Sequence, residues 1–538
     1  MKPLGRPAVT ALAAFTVVGA ALRTWQYLAQ SSLRLDELAV ARNIVDRGVR
    51  ELVAAPLDYD QIAPVGFLLF EKLAVSALGP SEWAFRLLPF LASMAALLIM
   101  PWLSARLLPA GAAVVATALF ASGSILVLFA AQAKPYAVDL FAALVLIALA
   151  GHLERRRTLG AAAGLALAGA VLVWFAIGAV LVLAGLGLGL ALLGWRWRRA
   201  GAARSLVPVA VAWLLAGTLA ALVARRGVSP GQLEYFAGFF QGSFPPAEPL
   251  GVLEWSWRSL VATFGRDLGY SWPVPYAVLT VIGVGAVLRR SRGVAPLLLA
   301  PPLATVAAAV CHVYPLGSRT TLFLLPWWCW LAGSGAEEVR RAAARVAPAL
   351  GWVVVALLLV PPLRAAIAFR PVAREHVKPV LASLQQEWRA GDVLYVYYAA
   401  WQAVEFYGRQ YGLRDDDVEI GGCHRTQPRN YLFEIDRFRG RPRVWLLFTH
   451  TSRAGEEATI VGYLDAIGVR GGSVDQGAGK HHASGATTLY WYDLSDSLRL
   501  RRATAESFPV LTPKVDLRLS CTNGPQVPRL DVGRPAYR

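Results

Sequence analysis

Long apolar runs separated by short basic clusters fill the first two thirds of this 538-residue chain. The runs are about 17–25 residues long, enough for a helix to cross a hydrocarbon core of about 30 Å. They predict eleven membrane spans, at about 8–28, 84–108, 110–131, 137–153, two within 159–194, then about 205–224, 272–288, 294–313, 320–335 and 348–366. The first follows a basic start and lacks a small-residue cleavage site, so it reads as an uncleaved helix with a cytoplasmic N-terminus.

A further apolar stretch, 62–78, carries Glu71 and Lys72 at its middle. Each charge at a bilayer centre costs roughly 2.5–3.5 kcal/mol. Counting the stretch as a span would also put the basic clusters 155–157, 196–199 and 289–292 outside, against the positive-inside rule. It therefore reads as a helix lying in the outer interface, within a first external loop of about 30–83. A second external loop, about 225–270, carries the aromatic run Tyr235-Phe236-Ala237-Gly238-Phe239-Phe240, suited to the same depth.

Past residue 368 the pattern changes to strand-length apolar runs among frequent charges. Strands are expected near 392–397, 443–448 and 487–492, with helices near 400–411 and 455–467. Alternation of that kind predicts a soluble α/β domain over 369–538, after a transmembrane domain over 1–368. Span parity makes the C-terminal domain extracytoplasmic. Cys423 and Cys521 form a candidate disulfide there, whereas Cys311 and Cys329 fall within predicted spans and read as packing residues.

Composition narrows the classes. Hydrophobic residues make up 56% of the chain and charged residues only 16%, with Lys+Arg 53 against Asp+Glu 35 and a net charge of +18. A soluble enzyme carries about 25% charged residues. The positive charge sits in clusters between apolar runs, which sets topology and argues against nucleic-acid binding. No His/Cys cluster has zinc spacing.

Three groups could carry chemistry. Leu35-Asp36-Glu37-Leu38 follows the first span, and its paired acids at the outer surface suit a general base; on the plainer reading Asp36 is a helix N-cap and Gly48 a helix stop. Ala133-Lys134-Pro135-Tyr136-Ala137-Val138-Asp139 places a second acid at the outer junction of the third and fourth spans. There an acid is a functional candidate, unless it pairs with Lys134 or reaches outward. His312-Val313-Tyr314-Pro315-Leu316-Gly317-Ser318-Arg319-Thr320 puts an arginine on the same side, suited to phosphate or to a simple interfacial place.

The order of these groups, together with Gln61-Ile62-Ala63-Pro64-Val65-Gly66-Phe67-Leu68 and Gly79-Pro80-Ser81-Glu82-Trp83-Ala84-Phe85-Arg86-Leu87, resembles glycosyltransferase family 39. That family belongs to the C-type superfamily and includes protein O-mannosyltransferases and the lipid A aminoarabinose transferase. The likeness covers roughly residues 8–150 well and 205–366 loosely. It implies a polytopic enzyme of the bacterial inner membrane that takes a sugar from a polyprenyl-phosphate donor to an extracytoplasmic lipid, glycan or protein acceptor. It further implies Asp36, Glu37 and Asp139 as catalytic acids and Lys134 and Arg319 as donor-phosphate ligands, with Tyr136, Arg86 and His312 as further candidates. Asp139 would orient the acceptor or bind a divalent ion, and both roles stay open. The chain departs from the family pattern in having Ala63 before Pro64, Lys134 where Arg is usual, and Thr320 after the arginine where Tyr is usual. The rival classes are a polysaccharide polymerase or ligase and a lipid-linked sugar transporter or flippase; the last should show an internal repeat, and none is evident.

Overall fold

The computed structural model describes residues 4–197, 202–290, 293–451, 455–476 and 485–510. Arg198, Arg199, Arg292 and Cys521 lie outside the described residues. Helices stand at all eleven positions where the apolar runs predict spans: α1 (Arg6–Leu28), α5 (Glu82–Leu107), α6 (Ala110–Ser122) with α7 (Ser124–Leu128), α8 (Tyr136–Arg156), α9 (Leu159–Leu172), α10 (Gly178–Trp197), α11 (Val207–Arg226), α14 (Pro273–Arg290), α15 (Ala295–Val310), α16 (Leu325–Val346) and α17 (Pro348–Ala368). Between α1 and α5 lie α2 (Leu35–Asp46), α3 (Val49–Ala54) and α4 (Val65–Leu78), and between α11 and α14 lie α12 (Pro230–Phe239) and α13 (Pro249–Ala262). Among the described residues, seven helices are long and apolar enough to cross a membrane, or eight with the bent α6–α7 pair. The remaining three depart from an ideal span. Helices α9 and α15 have 14 and 16 residues, and α16 turns charged in its second half, where Glu337 pairs with Arg340 and Arg341.

The bend between α6 and α7 explains a charge that the first span carries. The chain turns by 51° at Gly123, which frees carbonyls of the last turn of α6. Arg23 of α1, wholly buried, donates to Ala121 O at 2.8 Å, Phe120 O at 3.3 Å, Gly19 O at 3.0 Å and Ser93 Oγ at 3.1 Å. In hydrocarbon an unmet carbonyl is costly, so a buried guanidinium is retained where the helix breaks. Helix α4, at 14 residues, is too short for a span. Its Lys72 donates to Ile44 O at 2.7 Å, a cation on the closing carbonyls of α2.

After α17 come α18 (Val377–Glu387), β1 (Val393–Val396), α19 (Trp401–Tyr407), β2 (Val418–Ile420), α20 (Arg429–Ile435), β3 (Val444–Thr449), α21 (Glu456–Ile467), β4 (Val469–Gln476), β5 (Thr487–Asp493) and α22 (Ser497–Leu500). The sheet order is β2-β1-β3-β5-β4, with β1 parallel to β2 and β3, and β5 antiparallel to β3 and β4. The three expected strands and two expected helices are present. The edge strands β2 and β4 escape a hydrophobicity reading because one is three residues long and the other begins Val469-Arg470-Gly471-Gly472. Gly471 sits under the Trp491 indole, where a Cβ has no room.

Alternate residues of β1 and β3 serve two cores. Leu394, Val396, Trp445 and Leu447 join a cluster with Leu38 and Val40 of α2, Phe67 of α4 and Phe85 of α5. Val393, Tyr395, Leu446 and Phe448 pack against Leu432 of α20 and Ile460 and Leu464 of α21. Burial on both faces is why these strands read as unbroken apolar runs. The molecule is a polytopic helical membrane protein whose C-terminal α/β layer packs directly on the helices that follow the first span. Cys329 is buried as expected, but Cys311 is exposed just beyond the end of α15.

Candidate active site

The site forms where the start of α2 meets the segment before α8 and the 3₁₀ turn Ser318–Leu324. Asp36 lies in the first turn of α2, whose N-cap is Arg34. The expected capping role therefore passes from Asp36 to Glu37, whose Oε2 accepts the Arg34 N–H at 3.1 Å. Gly48 likewise stops nothing; it caps the start of α3, and α2 ends at Asp46. Asp36 is left free to turn toward Arg319, whose Nη1 donates to Asp36 Oδ2 at 2.6 Å. The two side chains keep 36% and 29% of their surface accessible, so the pair is open to solvent.

Arg319 is held from two sides. Phe239 of α12 lies under its guanidinium, 5.5 Å from ring centre to carbon. Thr320 closes the preceding turn, its one hydroxyl proton shared between Pro315 O at 2.8 Å and Gly317 O at 2.7 Å, which gives the threonine a local role at the position where the family pattern has tyrosine. Burial pushes the Asp36 carboxyl up, but Arg319, then Lys134, Arg34 and His450, outweigh it and hold the carboxyl well below its ordinary range. Lys134 donates to Gln61 Oε1 at 2.5 Å. Burial lowers its ammonium to about 8, with the Arg319 and Arg34 charges opposing the help of Asp36 and Glu37.

Glu37, one residue on, is buried to 1%. Its carboxylate accepts Arg86 Nε and Nη2 at 2.9 Å each and the Ala133 N–H at 2.9 Å. Arg86 spends its remaining donors on Ser31 O at 2.8 Å and Ser32 O at 3.2 Å. This pair joins α2, α5 and the segment that carries Lys134, and it has no capacity left for a substrate. Asp139, in the first turn of α8, is also buried and accepts the Gly178 N–H at 3.0 Å. It neither pairs with Lys134 nor reaches outward. Instead it fixes the start of α10, beside the point where Gly66 N–H donates to Trp174 O at 2.8 Å; a Cβ on Gly66 would meet that carbonyl and the Phe175 ring. Among the described residues no three His, Cys, Asp or Glu side chains gather to hold a metal ion, and the carboxylate of Asp139 is turned to backbone, so these residues do not fit a divalent cation.

Tyr136 opens α8, with its ring edge-on to Phe129 at 5.1 Å, and lies within electrostatic reach of Arg319. His312 is exposed and stacks on Phe244 at 5.0 Å; no interaction joins it to the acids among the described residues. The structure thus brings together Asp36, Lys134, Tyr136 and Arg319, sets Glu37 with Arg86 behind them, and leaves Asp139 and His312 to either side.

The C-terminal layer supplies residues that no motif announced. Three of the four backbone donors from Ser32 to Leu35 are held from it: Ser32 N–H by His376 Nδ1 at 3.1 Å, Leu33 N–H by the Tyr407 hydroxyl at 2.8 Å and Leu35 N–H by Glu375 Oε2 at 2.8 Å. Glu375 also accepts from His450 at 2.9 Å and pairs with Arg34 at 3.7 Å. Burial, then Lys378, lowers His376 to about 4, which keeps Nδ1 an acceptor. Arg42 of α2 pairs with Glu405 of α19 and lies between the Tyr59 and Trp401 rings, at 5.3 and 4.8 Å. The one sequence signal is the polar triplet Arg374-Glu375-His376 just after the last span.

No family model matches the chain, and no curated protein matches it. Among solved structures it is similar to ArnT from Cupriavidus metallidurans bound to undecaprenyl phosphate, at 13% identity and a TM-score of 0.52, over 89% of this chain and 97% of that one. The apo oligosaccharyltransferase of Archaeoglobus fulgidus aligns at 11% identity and a TM-score of 0.48, over 86% of this chain and 73% of that one. At that identity the likeness is one of fold, and the chain has the fold of ArnT over nearly the whole length of both proteins.

Proposed function

We propose that the protein is a membrane glycosyltransferase that moves a sugar from a polyprenyl-phosphate donor to an acceptor hydroxyl on the extracytoplasmic face. One observation carries this reading: a solvent-accessible carboxylate, Asp36, is paired with Arg319 and set beside Lys134 in a chain with the fold of a protein crystallised with undecaprenyl phosphate. The acceptor oxygen attacks the anomeric carbon, the bond from that carbon to the phosphate oxygen breaks, and the hydroxyl proton passes to Asp36. The leaving polyprenyl phosphate takes the electron pair, and Arg319 and Lys134 balance its charge, so no general acid is needed. In the resting protein Arg319 weakens Asp36 as a base. A donor phosphate competing for the same guanidinium would release the carboxylate and raise its basicity, so donor binding and base activation are one event.

In this reading Glu37, Arg86 and Asp139 position the site rather than act in it. The described residues from 369 to 510 form the extracytoplasmic layer that holds the approach to Asp36, and Arg155–Arg157, Arg289 and Arg290 face the cytoplasm of a bacterial inner membrane. The test is incubation of the purified protein with a panel of labelled polyprenyl-phosphate sugars. Release of free polyprenyl phosphate with one of them, dependent on an acceptor, is expected; turnover of none, or dependence on a polymeric donor, would replace this reading with a transporter or a polymerase. Impermeant cysteine labelling in intact cells should reach position 470 and not 157, and the reverse would invert the topology.

A further inference from the structure

Behind the Glu37 and Arg86 pair lies a small cavity of about 10 Å³, lined by apolar residues such as Leu128 and by Ser31, Arg34, Glu37, Gln132 and Arg374. That is room for one water-sized particle. We infer that it is a binding site for a single halide ion, chloride being the natural occupant.

The argument is a balance of donors and charge. The carboxylate that lines the cavity is already engaged, Glu37 taking Arg86 and two backbone N–H groups, and Gln26 is closed on the backbone of Val372 at both ends of its amide. The donors are not. The Nε groups of Arg34 and Arg374 are both buried without a hydrogen-bond acceptor, and no ion pair joins Arg374 to any acid among the described residues. Three guanidinium groups, Arg34, Arg86 and Arg374, share two carboxylates, Glu37 and Glu375, and Glu375 is also engaged by His450. Burial and the nearby Arg34 lower Arg374 more than Glu375 supports it. A buried N–H left without an acceptor is costly. A water molecule would accept the two N–H bonds but bring no charge, whereas an anion does both, and charge-assisted bonds are the stronger ones. The volume selects a monoatomic ion over phosphate or a carboxylate.

The position gives the ion a consequence. Arg34 is the N-cap of α2, and Gln132 lies two residues before Lys134, so an ion between them ties together the two segments that carry Asp36 and Lys134. Its presence is read without turnover, so it stands or falls independently of the reaction proposed above.

The experiment is thermal unfolding of the detergent-purified protein at constant ionic strength as sodium gluconate is replaced by chloride or bromide. A saturable rise in Tm with either halide is expected, equally in Asp36→Asn and lost in Arg374→Gln. No halide-specific rise in the wild type, or the same rise in Arg374→Gln, would overturn the site. Chloride-35 line broadening by the wild-type protein, reversed by bromide, gives the same answer if Arg374→Gln fails to fold, and its absence is equally fatal. Loss of the halide effect on adding polyprenyl phosphate would hand the cavity to the donor's headgroup and also overturn the assignment.

Discussion

Asp36 and Glu37 are neighbours in one turn of one helix, carry the same functional group and each meet an arginine, yet their surroundings oppose each other. Asp36 meets one arginine through one oxygen and keeps a third of its surface open. Glu37 accepts four N–H groups and is closed on every side. Successive residues on a helix diverge by about 100°, so one points toward Arg319 and solvent and the other toward α5. What separates a working acid from a structural one here is spare capacity. A saturated carboxylate cannot take up a proton or release its partner without breaking the fold, whereas a singly paired one can exchange its arginine for a ligand.

The sharpest way to break that comparison is on the saturated side. Arg86→Leu leaves Glu37 buried and unpaired, and removing one partner of such a pair costs about 3–5 kcal/mol. Greatly lowered thermal stability is therefore expected, read by the Tm of the detergent-purified protein. A normal Tm would mean that Glu37 is not saturated after all. Glu37→Gln, which retains the shape, should affect turnover less than any change at Asp36.

Asp36→Asn is the matching test on the open side. The amide keeps the size of the side chain and removes its basicity, and a positioned base contributes about 10²–10⁴ in rate. Turnover should fall at least about a hundredfold with Tm unchanged. Turnover within about threefold of wild type would remove Asp36 as the base. Arg319 follows in size. Its loss as Arg319→Ala gives up a charge-assisted contact of roughly 1.5–3 kcal/mol, or about tenfold or more in donor affinity. Arg319→Lys should lose less, because an ammonium keeps the charge but not two parallel bonds. Wild-type donor binding by both variants would detach Arg319 from the phosphate.

The same contrast explains what was legible beforehand. Apolar periodicity and charge placement put helices at every span because lipid enforces backbone pairing within each segment. The acids, Lys134 and Arg319 stood out because charges near apolar runs are rare. Their division into open and saturated was invisible, because it depends on Arg86 arriving from 49 residues away and on Ala133 from 96. The clamp from the C-terminal layer was hidden for a like reason. Tyr407 and Glu375 act on backbone N–H groups of Leu33 and Leu35, 374 and 340 residues distant, and a backbone partner leaves no trace in side-chain chemistry.

The smallest expected effect is one of pH, and it concerns the second cation of the open site. Lys134 is lowered to about 8 by burial, against an ordinary value of about 10.4. In the free protein the ammonium that a donor phosphate needs is therefore present below pH 8 and is lost as pH rises through it. Only the protonated fraction binds well, so donor KM should rise about fourfold by pH 8.5, with kcat at saturating donor nearly level, because bound phosphate restores the proton. Arg319 stays charged throughout and cannot produce this limb. Lys134→Arg replaces the titrating group with one that keeps its proton to beyond pH 12, so its KM should stay flat from pH 7 to 9.5. An unchanged alkaline limb in Lys134→Arg would assign the titration to another group, and a flat profile in the wild type would mean that Lys134 does not touch the phosphate.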